Sequence, residues 1–198
     1  MTLMSPSHRV TVTELARRRA APLEDLAGQA ADVARACQAM AARFQRGGKL
    51  LAFGSGTAST DAQHVAVEFV HPVIVGKRAL PAISLASDVA TLTGTGLTDA
   101  FAHQIRHLAE PVDIALAISA DGRCENVLRG LKQAGDIGLL RVALAGGDGG
   151  AIAASGSADH LLLAASGDPR VVKEIHVTVY HVLWELVHVF LERPGALR

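Results

Sequence analysis

Lys49-Leu50-Leu51-Ala52-Phe53 runs directly into Gly54-Ser55-Gly56-Thr57-Ala58-Ser59-Thr60-Asp61-Ala62-Gln63-His64-Val65-Ala66-Val67-Glu68, and the reading of this stretch decides the fold. It begins as a short apolar run, passes through a glycine turn carrying hydroxyls, and continues with capping residues ahead of a helical pattern. Strand, turn and helix in that order form the unit of a parallel α/β sheet. The turn of such a unit lies at the carboxyl end of its strand, where backbone N–H groups and the positive end of the helix dipole hold an anion. A small phosphorylated ligand is therefore expected.

Working outward towards the N-terminus, the pattern predicts a short helix from Val12 to about Ala20 and a second opened by Pro22, whose missing N–H costs nothing in a first turn. Leu23, Leu26, Ala30, Val33, Cys37, Met40 and Phe44 then recur at three- and four-residue steps, and Gly47-Gly48 ends the helix. This arm, residues 1–47, precedes an α/β core of residues 48–198 in a single domain. Its apolar stripe must be covered by the core or by another subunit, which points to a homo-oligomer.

Towards the C-terminus, strands are predicted at Ala79–Leu85, Asp113–Ser119, Leu139–Ala145 and His160–Ala164. Asp88 caps a short turn, and helices are expected over Thr98–Leu108, Glu125–Gln133 and Val171–Glu192, the last stopped by Pro194-Gly195. Short apolar strands alternating with helices give a doubly wound parallel sheet. Gly146-Gly147-Asp148-Gly149-Gly150 is a strand-to-helix turn, since it lacks the Lys-Ser/Thr ending of a nucleotide-binding P-loop.

The 198 residues carry 19 basic and 19 acidic side chains, so the clustered positive charge of a nucleic-acid-binding surface is missing. Arg17-Arg18-Arg19 reads as a solvated helix face. Cys37 and Cys124 lack metal-ligand spacing; Cys37 belongs to the apolar stripe, and Cys124 is a small residue at a helix start. Met1 to Arg9 lacks the apolar run of a signal sequence, and no apolar stretch reaches the length of a membrane span. The expectation is a soluble, cytoplasmic protein with no membrane partner.

The run Gly54-x-Gly56-x-x-x-x-Asp61-Ala62-Gln63-His64-x-x-x-Glu68 resembles the sugar isomerase (SIS) domain, in its phosphoheptose isomerase branch. Leu80-Pro81-Ala82-Ile83-Ser84-Leu85, Asp88, Leu92-Thr93, Gln104, Ser119-x-x-Gly122, Asn126-Val127, Gly146-x-Asp148-Gly149-Gly150 and Glu174-Ile175-His176-x-x-x-x-His181 extend the likeness from Phe44 to Glu192. The resemblance implies a five-stranded parallel sheet between helices and a homotetramer with active sites at subunit contacts. It further implies isomerisation of sedoheptulose 7-phosphate or a related sugar phosphate, and in some members zinc. By position Glu68 matches the family's base and His181 its acid. Ser55, Gly56, Thr57, Asp61, Gln63, Asp88, Ser119, Gly122, Arg123, Asp168 and Lys173 are the expected substrate contacts.

His64 and Glu68 stand four apart, so one helix face presents both. With His181 they make an imidazole and carboxylate set that suits zinc. Lys173 stands where the family has a glutamine that helps hold substrate or zinc, and an ammonium there opposes a cation, so zinc remains a candidate rather than the expectation.

Other departures fall in the phosphate cradle. The usual serine of the first turn is Ala58, and the second turn keeps Ser119 and Gly122 but has Ala120, Asp121, Arg123 and Cys124. Asp121 would repel a phosphate by a few kcal/mol, roughly, unless Arg123 offsets it. His71-Pro72 replaces an arginine, and the loop between Thr93 and Gln104 is short. Two further readings stay open at this point. One is a non-catalytic SIS module that binds a sugar phosphate or serves as an adaptor; the other is an isomerase with a changed substrate.

Overall fold

The computed structural model describes residues 11–193. The readings of Met1 to Arg9 and of the Pro194-Gly195 stop lie outside them. Five parallel strands, β1 (Leu50–Gly54), β2 (Ala82–Ser84), β3 (Ile114–Ser119), β4 (Leu140–Gly146) and β5 (His160–Ala164), form one sheet in the order β2-β1-β3-β4-β5. The helices are α1 (Val12–Gly28), α2 (Ala30–Gln45), α3 (Ala58–Val70), α4 (Val89–Gly94), α5 (Ala100–Leu108), α6 (Glu125–Ile137), α7 (Gly150–Ser155) and α8 (Pro169–Glu192). The doubly wound parallel sheet read from the sequence is the sheet observed.

The inner strands β1, β3 and β4 are buried on both faces along almost their whole length, so their alternation sorts side chains between two cores, while the edge strands β2 and β5 are partly open. Leu50 and Ala52 of β1 join α2, α3 and α8 on one side, through Met40, Phe44, Val65, Tyr180 and Leu183. Leu51 and Phe53 join α5 and α6 on the other, through Phe101, Ile105, Val127 and Leu131. Asp113 just before β3 ties the lower edge together: its buried carboxylate accepts from the Lys49 and Glu110 backbone N–H groups at 2.9 and 2.8 Å and pairs with the Lys49 ammonium at 2.5 Å.

Two expectations are corrected. Pro22 does not open the second helix; it sits buried inside α1, and the break falls at Gln29. The lost hydrogen bond is outweighed by burial of the proline and by what the break places at the sheet edge. Gln29 donates through Nε2 to the Leu163 carbonyl at 2.8 Å and accepts from the Leu163 N–H at 2.9 Å, acting as a one-residue partner for the outer strand β5. The second strand is confined to Ala82–Ser84, because Leu80 is drawn aside to donate to the Phe69 carbonyl at 2.8 Å.

Candidate active site

The strand order reverses between β1 and β3, so the crevice above their carboxyl ends is where a doubly wound sheet binds its ligand. Two turns line it, Ser55 to Thr57 leading to α3 and Ala120 to Cys124 leading to α6. The backbone of the second of these turns is locked by close packing against the turn after β4. Gly122 has φ +69°, and a Cβ there would stand 1.9 Å from the Gly149 carbonyl oxygen; one at Gly146 would stand 2.0 Å from that of Ala120. Only glycine permits this interlock.

Ser119 is buried and accepts from the Gly122 N–H at 3.0 Å, and Ser55 accepts from the Asn126 amide at 3.2 Å. Both hydroxyl protons remain available to an anion. Cys124 provides no side-chain cap for α6, so the positive end of that helix contributes to the crevice. The expected offset of Asp121 by Arg123 is not the pairing found. The Arg123 guanidinium reaches Asp148 at 3.0 Å to both oxygens, while the Asp121 carboxylate accepts from the Arg123 backbone N–H at 2.9 Å. These residues border a cleft of about 380 Å³ with Gly147, Ser166 and Pro169.

Beyond the turns, α3 and α8 face each other. On α3, Asp61, His64 and Glu68 fall at i, i+3 and i+7, one stripe of the helix. His64 Nε2 lies 3.1 Å from Glu68 Oε1, and His181 Nε2 on α8 lies 4.0 Å from the same oxygen. The Glu68 side chain is only 12% exposed. The ligand atoms of His64, Glu68 and His181 all lie within 4.8 Å of one another. Neighbouring ligands of a tetrahedral zinc ion stand roughly 3.3 Å apart given bonds of about 2 Å, so small rotations suffice for this set to hold a metal ion.

Lys173 turns to Asp61, with Nζ 2.7 and 2.8 Å from its two carboxylate oxygens, 3.1 Å from the Thr57 carbonyl and 3.3 Å from Thr60 Oγ1. Its charge is thereby matched, and the objection that its ammonium opposes a cation loses force. Gln63 lies on the other flank of α3, lining a cleft with Val67, Ile83 and Ser84 beside β2. Two residues on from Asp61, helical periodicity carries it off the functional stripe. Asp88 caps α4; its carboxylate accepts from the Thr91 hydroxyl and from the Thr91 N–H at 3.1 Å, and the hydroxyl bond first, then the backbone bond, lowers its pKa. Asp168 caps α8 and pairs with Arg170 at 2.7 Å, which brings its pKa down to about 2. Neither Asp88 nor Asp168 joins the His64, Glu68 and His181 group.

Tyr180 belongs to this site and was absent from the expected set. Its hydroxyl stands 2.8 Å from His64 Nδ1, and burial, reinforced by the Asp61 and Glu68 carboxylates, raises its pKa. The available signal was its place seven residues after Lys173, on the same face of α8, next to His181. His176 and His188 are buried, as packed histidines should be. Burial holds the His176 imidazole down at about 4 and the Cys37 thiol up at about 12.

With this geometry in view, the SIS domain profile matches residues 16–146. The phosphoheptose isomerase of Aquifex aeolicus is 38% identical over 178 residues, covering 88% of this chain and 91% of that protein. That of Crocosphaera subtropica is 36% identical over 162 residues, covering 80% and 82%. Among solved structures, a phosphoheptose isomerase from Francisella tularensis superposes with a TM-score of 0.84 at 28% identity, covering 90% of this chain and 96% of its own. The chain belongs to the SIS-domain proteins and, within them, to the phosphoheptose isomerase family.

Proposed function

We propose that the chain, acting as one domain, interconverts sedoheptulose 7-phosphate and its aldose isomer, with Glu68 as base and His181 as acid. The observation that carries this reading is the shielded Glu68 carboxylate set between two imidazoles beside a crevice built to hold an anion. Glu68 takes a proton from the hydroxyl-bearing carbon next to the ketose carbonyl, giving an enediolate, and returns it to the former carbonyl carbon. His181 moves the matching proton between the two oxygens. Ser55, Thr57, Ser119 and the backbone at Gly56 hold the phosphate, Gly122 shapes the second turn around it, and Lys173 with Asp61 fixes the Thr57 turn.

His64, Glu68 and His181 would hold zinc, which when bound supplies a positive charge to stabilise the enediolate oxygens. The chain assembles as a homotetramer with sites at subunit contacts; exposed Val73, Ile74 and Val75, together with the apolar groove lined by Leu23, Leu26, Val182 and Leu186, support this. No helix among the described residues is long and apolar enough to cross a membrane, and a charged sugar phosphate is confined to the compartment that makes it, so we place the protein in the cytoplasm. The non-catalytic reading is set aside because a binding module needs neither Glu68 nor His181.

The test is isomerisation of sedoheptulose 7-phosphate by purified protein with defined metal content. Glu68→Gln should lower kcat by about 10²–10⁴-fold, and His181→Ala by a comparable factor, in folded protein. Wild-type protein that is folded yet inert towards this substrate, with and without zinc, would sink the proposal.

A further inference from the structure

His64 is engaged at both ring nitrogens, Nε2 at 3.1 Å from Glu68 Oε1 and Nδ1 at 2.8 Å from the Tyr180 hydroxyl. A neutral imidazole carries one N–H, and a carboxylate oxygen only accepts. For a neutral ring facing the Glu68 carboxylate, this geometry puts the proton on Nε2 and makes Nδ1 the acceptor of the Tyr180 hydroxyl. The three rings also brace one another edge to face. His64 and Tyr180 have centroids 5.3 Å apart at 76°, His64 and His181 5.2 Å at 80°, and Tyr180 and His181 4.9 Å at 81°. The Tyr180 ring is fully buried in the core between α2, α3 and α8, so the position of its oxygen is fixed by packing.

We propose that Tyr180 is a positioning residue of this site: its hydroxyl selects the Nε2–H tautomer of His64 and sets the ring plane, aiming that N–H at Glu68. The proposal rests on the reading of Glu68 as the base. Tyr180 lies behind His64, so it acts through that ring. A phenol both donates and accepts, so the same oxygen serves His64 in either form. Were a divalent cation held by the Nε2 lone pair, the neutral ring would carry its proton on Nδ1 and the Tyr180 hydroxyl would accept it, the arrangement that orients metal-binding histidines.

Tyr180→Phe keeps the ring, its burial and its edge contacts, and removes one oxygen. In metal-free protein with ¹⁵N-labelled histidine, long-range ¹H–¹⁵N correlation should show His64 as the Nε2–H tautomer in the wild type and as a mixture in Tyr180→Phe. Titration with zinc alone against a chromogenic chelator should show the variant binding about 10- to 100-fold more weakly, the usual effect of losing an outer partner of a ligating histidine. Turnover of sedoheptulose 7-phosphate should show a kcat lowered about 10-fold at unchanged KM. A wild-type spectrum with the proton on Nδ1 overturns the proposal without any variant. So does a Tyr180→Phe protein that keeps both the Nε2–H tautomer and the wild-type zinc affinity. A protein that isomerises no sugar phosphate would defeat the functional reading alone, because the tautomer and the zinc titration are read independently of turnover.

Discussion

Lys173 offers the clearest test of how the site is held together. Its ammonium stands 2.7 and 2.8 Å from the two oxygens of Asp61, whose side chain is 7% exposed while that of Lys173 is 41% exposed. At this separation two unit charges attract by about 1.5 kcal/mol if fully water-screened and by about 6 kcal/mol at an effective dielectric near 20. The half-open lysine places the pair towards the lower figure, and immobilising its side chain costs about 1–2 kcal/mol. Removing the lysine also strands a buried carboxylate, which works in the other direction. Lys173→Met should therefore destabilise the fold by about 2 kcal/mol, lowering the melting midpoint by about 4–8 °C for a chain of this size. Protein concentration must be held constant, because association alters the apparent midpoint. Combining it with Asp61→Asn should recover part of the loss, with a coupling of about 1–2 kcal/mol. Since Lys173 also holds the Thr57 carbonyl at 3.1 Å, KM for the sugar phosphate should rise in the single variant. An unmoved midpoint together with additive effects in the double variant would refute the argument.

Gly122→Ala places a Cβ at 1.9 Å from the Gly149 oxygen on a backbone with φ +69°, so it should destabilise by about 3 kcal/mol or more and weaken phosphate binding. A melting midpoint equal to that of the wild type would show that the two turns are not interlocked. For pH, the buried His176 has its folded-state value lowered from 6.5 to about 4. Between those values the unfolded chain binds the extra proton, so stability is complete above pH 6.5 and falls as pH drops towards 4, by about 3 kcal/mol. Denaturant midpoints measured across that range should be flatter for His176→Met; superimposable pH curves would rule the histidine out as the cause.

The parts of this protein that were legible in its sequence are those whose determinants are local. The strand, glycine turn and capped helix from Lys49 to Glu68 are specified by residues within one another's reach, and the i, i+4 spacing of His64 and Glu68 puts both on one face whatever surrounds them. His181 is different: no period or spacing ties it to Glu68, and it came into the site through a motif matched as a whole. The same motif brought in Gln63, which the helix then carries to its opposite flank, because sequence adjacency to Asp61 is not adjacency on α3. Pro22 misled for a related reason, since its burial and the pairing of Gln29 with Leu163 across 134 positions decide where the helix breaks. Arg123 finds Asp148 rather than Asp121 because glycines press the turns after β3 and β4 together, a contact no single turn encodes. Tyr180 is the furthest case, 116 positions from His64, and its phenol meets that imidazole only once α3 and α8 are packed. The pattern has a physical cause. Helical face and turn chemistry are set by near neighbours, whereas the partner of a polar group in a parallel sheet protein is chosen by crossovers that join distant segments. The residues proposed to carry the chemistry can thus be found from a motif, but the side chains they touch are visible only where the two helices meet.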